Sequence, residues 1–223
     1  MSTKLKLPRL QGAPLLLRAF TSADAALVAE AGADPLIPLI TTVPTAPAEP
    51  AAVQAFIGRQ DERARSGQGY SFVIADADTD VGLGQIGLWP HGQGRASVGY
   101  WVAPSARRQG VAHHALQVVS AWGLTLPGLH RLELYVEPWN EGSWRAAERA
   151  GYIREGLLRS WEPVDGQRRD MYMYSRLPTD PALCARIVRG SAAGDRPSCG
   201  HERCLSRARL AQRARCDTHP VST

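Results

Sequence analysis

The sequence predicts an α/β domain over residues 1–178, built on a mixed sheet of about seven strands flanked by about four helices. A small basic extension follows at 179–223. Three observations predict this. Segments of alternating apolar residues interleave with segments of helical period, in the order β-α-α-β-β-β-α-β-α-β-β. One strand–helix–strand crossover, residues 96–136, carries a basic, glycine-containing turn. Charge and cysteine are also segregated. Residues 181–223 hold eight arginines and three acids, so the whole formal excess of +5 lies there and 1–180 carries eighteen residues of each sign.

Each element has its own signal. Leu15–Phe20 is an apolar strand, and Thr21, Ser22 and Asp24 offer N-cap chemistry for a helix running to about Ala31. A proline-rich loop follows, with Leu36-Ile37-Pro38-Leu39-Ile40 at its centre. Val53, Phe56, Ile57 and Gln60 give a second helix one buried side, ending before Gly67. Tyr70–Ala75 and Val81–Trp89 are strands joined by the turn Asp76–Asp80, and Pro90–Gly94 turns into a strand at Ala96–Val102. A third helix begins near Gly110, with Val111, Ala115, Val118, Val119 and Trp122 on one face. Leu132, Leu134 and Val136 alternate as a strand. Ser143–Ala150 is a short helix capped by Gly151. Tyr152–Leu158 and Asp170–Arg176 close the sheet around Asp165-Gly166.

At 44% hydrophobic the chain can bury a proper core. It has no run of 18 apolar residues for a membrane helix, and Met1–Lys6 leads into no signal-type apolar stretch. A cytoplasmic protein with no membrane partner is expected, and in that reducing compartment disulfides are not.

The chemistry concentrates at Arg107-Arg108-Gln109-Gly110-Val111-Ala112, between a strand and a helix N-terminus. Backbone N–H groups in such a turn, with the positive end of the helix dipole behind them, suit a pyrophosphate. Gly110 lets the backbone approach without a Cβ in the way, and Ala112 permits close packing. Arg107 and Arg108 add charge.

Four spaced motifs then resemble the GNAT superfamily of acetyl-CoA-dependent N-acetyltransferases, and within it the RimJ/RimL-like branch that acetylates ribosomal-protein N-termini. Arg107-x-x-Gly110-x-Ala112 matches the superfamily loop. Gly99-Tyr100-Trp101-Val102, Asn140-Glu-Gly-Ser143, and Glu148-Arg149-Ala150-Gly151-Tyr152 followed by Glu155-Gly156 match the branch. The resemblance covers roughly residues 12–178 and implies a mostly antiparallel sheet. It also implies direct transfer of acetyl from acetyl-CoA to an amine, with no acyl-enzyme.

On that resemblance, Arg107 to Ala112 cradle the pyrophosphate of acetyl-CoA, and the backbone of Trp101 and Val102 pairs with the pantetheine arm. That arm enters a gap where strand 96–102 diverges from strand 131–136. Asn140 contacts a pantetheine amide or serves as a helix-turn residue. Ser143 donates to the leaving thiolate or satisfies helix N–H groups. Glu162, nineteen residues on and beside Trp161, is the matched base, raised by desolvation; Glu133, Glu137 and a water relay are alternatives. Tyr152 is expected in the core, and His113 and His114 at the surface or in packing. The acceptor enters over Gly32–Pro50, an apolar loop without an acidic run, which fits a peptide N-terminus or a modest amine better than a polycation. A small-molecule amine acetyltransferase and a non-catalytic acetyl-CoA- or nucleic-acid-binding module are the alternative functions.

In the extension, Cys199-x4-Cys204 and Cys216-x2-His219 have spacing that suits a tetrahedral zinc site. The alternative is an arginine-rich tail with incidental cysteines. The arginines permit contact with RNA or the ribosome.

Overall fold

A computed structural model describes residues 7–181. The elements are β1 (Leu10–Gly12), β2 (Leu15–Arg18), α1 (Ala25–Gly32), α2 (Ile37–Ile40), α3 (Pro50–Arg65), β3 (Tyr70–Asp76), β4 (Gly82–Gly92) and β5 (Arg95–Val102). They continue with α4 (Val111–Gly123), β6 (Arg131–Val136), α5 (Glu141–Arg149), β7 (Ile153–Val164) and β8 (Gln167–Arg176). The strands form one 8-stranded sheet in the order β1-β2-β3-β4-β5-β6-β8-β7. All neighbours are antiparallel except β5 and β6, the two ends of the crossover.

The mixed, mostly antiparallel sheet is as expected, with three corrections. Leu10–Gly12 adds a strand paired to Leu15–Leu17, too short to show an alternating pattern. The apolar loop contains the single-turn helix α2, with Pro38 in its first turn, where a missing N–H costs nothing. The closing hairpin is longer than its apolar residues indicate: the distal half of β7 is exposed and carries no burial signal.

The core lies on both faces of the sheet. α4 buries Val111, Ala115, Leu116, Val118 and Val119 on one face. Its Trp122 meets Tyr70 and Phe72 edge-on, with centroids 4.7 and 5.6 Å apart. α3 packs Val53, Phe56, Ile57 and the buried Gln60 on the other. The entry to α1 is fixed by charge. Arg18 donates twice to Asp24, both at 2.9 Å, and Asp24 Oδ2 accepts the Thr21 N–H at 2.8 Å. Burial pushes the Asp24 carboxyl up, but the hydrogen bonds from Arg18 and Thr21 outweigh it and hold it below its ordinary value.

Candidate active site

Parallel pairing between β5 and β6 covers only Arg95↔Arg131, Ala96↔Leu132 and Ser97↔Glu133. Beyond that point the strands part, and a cleft of about 810 Å³ opens between Val98–Trp101 and Leu134–Glu137. The closed end is riveted by charge. The buried Glu133 accepts from Arg131 (2.8 Å) and Tyr135 (2.9 Å) and lies 3.2 Å from His91 and 3.6 Å from Arg95. Burial alone would raise its pKa; Arg131 and Tyr135 hold it low. Its oxygens are already engaged, so Glu133 is a structural carboxylate rather than a free base.

The backbone of β5 is shared between β4 and the cleft. Ala103 N–H donates to Leu83 O, and Trp101 lies opposite Gln85. Alternation along the strand then turns the polar groups of Gly99 and Trp101 toward β4 and those of Val98, Tyr100 and Val102 toward the cleft. This corrects the expectation for Trp101. Its backbone is used by the sheet, with Gly84 packed so closely that a Cβ there would run into the Trp101 carbonyl. Its indole donates to Gln85 Oε1 at 2.7 Å. Val102 stays at the cleft edge, where its carbonyl accepts from Arg107 Nε at 3.3 Å.

The turn into α4 has the predicted form. Gly110 is the residue before α4 and sits at φ +78°, and Arg108 is also left-handed at φ +65°. Among the described residues no acceptor takes the N–H of Arg108, Gln109, Gly110, Val111 or Ala112. These are the open donors that an anion would fill. Arg107 departs from the expectation. Its guanidinium is tied to the buried Asp34 at 2.6 Å, while Asp34 also caps α2 through the N–H groups of Leu36 and Ile37. Glu30 of α1 likewise holds Ser105, through its N–H at 2.8 Å and its hydroxyl at 3.1 Å. Two acids therefore latch the turn before α4 to α1 and α2. Arg108 is exposed, and His113 and His114 lie half-buried against each other behind the turn.

Asn140 and Ser143 meet at the start of α5. Asn140 Oδ1 accepts the Ser143 N–H at 3.1 Å, the side-chain cap that starts the helix. Ser143 Oγ is then left to pair with the Tyr100 hydroxyl at 2.8 Å. Burial pushes that hydroxyl up to about 12, with the Ser143 bond working in the opposite direction. Tyr100 was legible only as a motif letter, because the contact joins residues 43 apart. Tyr152 is a core residue as expected, bonded to Ser120 Oγ at 2.7 Å.

The far wall of the cleft is the tip of the β7–β8 hairpin, including Glu162, Asp165 and Arg169. Glu162 faces the cleft but is exposed, and Trp161 stacks on Tyr135 at 5.6 Å. The desolvated Glu162 read from the sequence is therefore not found in this state. Glu137 also lines the cleft and accepts from Trp139 Nε1 at 2.7 Å. The near wall comprises α2, with Leu36, Leu39 and Ile40 exposed, and Arg63 of α3. Cys199, Cys204, Cys216 and His219 lie outside the described residues.

Residues 14–153 match the family model described as "Acetyltransferase (GNAT) domain". The chain is 31% identical over 113 residues to the "Uncharacterized N-acetyltransferase p20" of Bacillus licheniformis, across 51% of this chain and 64% of that relative. The Mycobacterium smegmatis RimJ, solved in complex with CoA-disulfide, superposes with a TM-score of 0.63 at 25% identity, covering 77% of this chain and 87% of that one. The ribosomal-protein-S5-alanine acetyltransferase of Vibrio fischeri shares the fold with a TM-score of 0.61 at 19% identity, covering 78% and 98%.

Proposed function

The chain belongs to the GNAT acetyltransferase family, and on that premise we propose that it is an acetyl-CoA-dependent N-acetyltransferase whose acceptor is a primary amine at a protein or peptide N-terminus. The observation that carries this reading is the fork. Parallel pairing ends at Ser97↔Glu133, and the gap beyond it is flanked by open amides at 108–112 and by the Ser143–Tyr100 hydroxyl pair. The peptide acceptor draws on the wide cleft with its exposed Leu36, Leu39 and Ile40, and on the structural likeness to RimJ and the S5-alanine acetyltransferase.

Acetyl-CoA supplies the thioester carbonyl. The open amides from Arg108 to Ala112, at the positive end of α4, are the donors for its pyrophosphate. The cleft-facing backbone of Val98, Tyr100 and Val102 is the edge on which its pantetheine arm adds as a strand. Asn140, its oxygen used by the α5 cap, keeps its NH2 for a pantetheine carbonyl. Fixing both reactants in one cleft supplies much of the rate. The acceptor arrives as an ammonium and loses a proton, through water, to Glu162. The new C–N bond forms as the C–S bond breaks. The new amide nitrogen sheds its second proton to water, Ser143 gives its proton to the departing sulfur and is reprotonated from water, and Tyr100, whose hydroxyl burial pushes up to about 12, stays protonated beside it.

The test is release of free thiol from acetyl-CoA against a panel of peptides and amines, with the product identified by mass. Turnover with peptides is expected. Tight cofactor binding without turnover on any acceptor would overturn the reading in favour of a binding module.

We further propose a cytoplasmic location. Among the described residues no helix is long and apolar enough to cross a membrane. For residues 179–223 we propose that Cys199, Cys204, Cys216 and His219 hold zinc and that the arginines meet RNA or the ribosome. Zinc by metal analysis, lost in Cys204→Ser, supports this; a metal-free protein contradicts it.

A further inference from the structure

The acceptor half of the cleft contains two guanidinium groups that no carboxylate of the described residues pairs. Arg63 projects from α3 over the Trp89 ring, 4.8 Å from its centroid. That ring lies against Gly87, where a Cβ would collide with it. Arg63 Nη1 donates to Gln60 Oε1 at 2.7 Å, and Nη2 reaches Thr42 Oγ1 at 3.5 Å. Gln60 is itself fixed by Ser71 Oγ at 3.0 Å and Gln85 Nε2 at 3.1 Å, so the guanidinium is held on a buried polar network rather than free in solvent. Burial, and then the charge of Arg59, lower its pKa, as expected of a cation that lacks a counter-ion.

Arg169 stands on the hairpin wall. Its Nε is buried with no acceptor among the described residues. Its cross-strand neighbour Glu162 does not pair with it, although the two are register partners. Placing two unpaired cations in one cleft is costly for the empty protein and is offset when an anion arrives. Guanidinium forks match carboxylate and phosphate oxygens.

We propose that Arg63 and Arg169 form an oxyanion subsite, so that the preferred acceptor is an amine carrying a carboxylate or phosphate close to the reacting nitrogen. This rests on the acetyl-transfer reading for the position of that nitrogen. The amine end faces Glu162 and the fork, and the anion lies between α3 and the hairpin.

The test is calorimetric binding of matched peptides to the full chain saturated with CoA. Ala-Asp-Ala amide is compared with Ala-Asn-Ala amide, and the phosphoserine peptide with its serine parent; thiol release is measured separately on the same peptides. The acidic member of a pair is expected to bind about tenfold tighter. That ratio should fall toward one in Arg63→Met and in Arg169→Met, and partly recover in Arg169→Lys. Which acidic peptide shows the larger ratio distinguishes carboxylate from phosphate. The Arg169 side chain makes no hydrogen bond among the described residues, so Arg169→Met tests the subsite even if Arg63→Met unfolds. Equal affinity within both pairs, a ratio unchanged in Arg169→Met, or no binding of any peptide would overturn the subsite. A binding preference without thiol release would instead remove the acetyl-transfer reading and leave the subsite standing.

Discussion

The hydroxyls of Tyr100 and Ser143 share a hydrogen bond of 2.8 Å, and the Tyr100 hydroxyl also reaches the Ser143 carbonyl at 3.3 Å, so neither acts independently. Ser143→Ala is expected to lower kcat roughly 10- to 100-fold, because the Tyr100 hydroxyl stays nearby as a donor. Tyr100→Phe should have an effect of the same order, and the double variant should cost far less than the product of the two, as residues acting as a unit do. A fully multiplicative double variant in steady-state assays would mean that the two hydroxyls serve separate steps. Gly110 is constrained by backbone and by ligand alike: φ is +78°, and the amides around it are open. Gly110→Glu places a carboxylate where a pyrophosphate is expected and adds about 1–2 kcal/mol of backbone strain. The protein should remain folded by circular dichroism and lose CoA binding by calorimetry; unchanged affinity would refute the loop assignment.

Among the elements, the turn before α4 is tied to the α1–α2 segment, because Asp34 holds Arg107 at 2.6 Å and Glu30 holds Ser105. A double-mutant cycle on Asp34→Asn and Arg107→Ala should give a coupling of about 1 kcal/mol in thermal stability, since one partner is buried and the other half-exposed. Additive effects would show that the latch carries nothing. This pairing marks the limit of what a sequence displays. The strand, turn and helix of the crossover were legible because their apolar periods and Gly110 are local signals. The roles of Arg107, Trp101 and Tyr100 were not, because Asp34, Gln85 and Ser143 are brought to them only by the folded sheet. β1 and α2 escaped notice for a different reason: three or four residues are too few to show a period. The outer half of β7 escaped because its residues 159–164, Arg-Ser-Trp-Glu-Pro-Val, show no apolar alternation.

For the molecule as a whole, several buried or half-buried carboxylates are held below their ordinary values. Asp24 and Glu133 are stabilised by Arg18 and Arg131 against the effect of burial, Asp34 by the N–H groups of Leu36 and Ile37 and then by Arg107, and Glu155 by Arg131 and Ser175. A carboxylate with a depressed folded pKa contributes stability that is fully present above its unfolded value. These unfolded values are 3.8 for Asp and 4.5 for Glu, and the contribution is lost as pH falls through the folded values. Thermal melts should therefore be level near neutrality and fall below about pH 4. Asp24→Asn should melt lower at pH 7 and show a shallower acid decline; a decline as steep as that of the parent would place the acid sensitivity elsewhere. The central claim about the molecule is that the β5–β6 fork and the turn at 108–112 form one acetyl-CoA site. Amide hydrogen exchange with and without acetyl-CoA tests it most directly. The account predicts new protection at Arg108–Ala112 together with Val98, Tyr100 or Val102, and little change at Trp101, whose N–H already pairs with β4. Protection confined to other strands, or a change at Trp101 without one at 108–112, would contradict it.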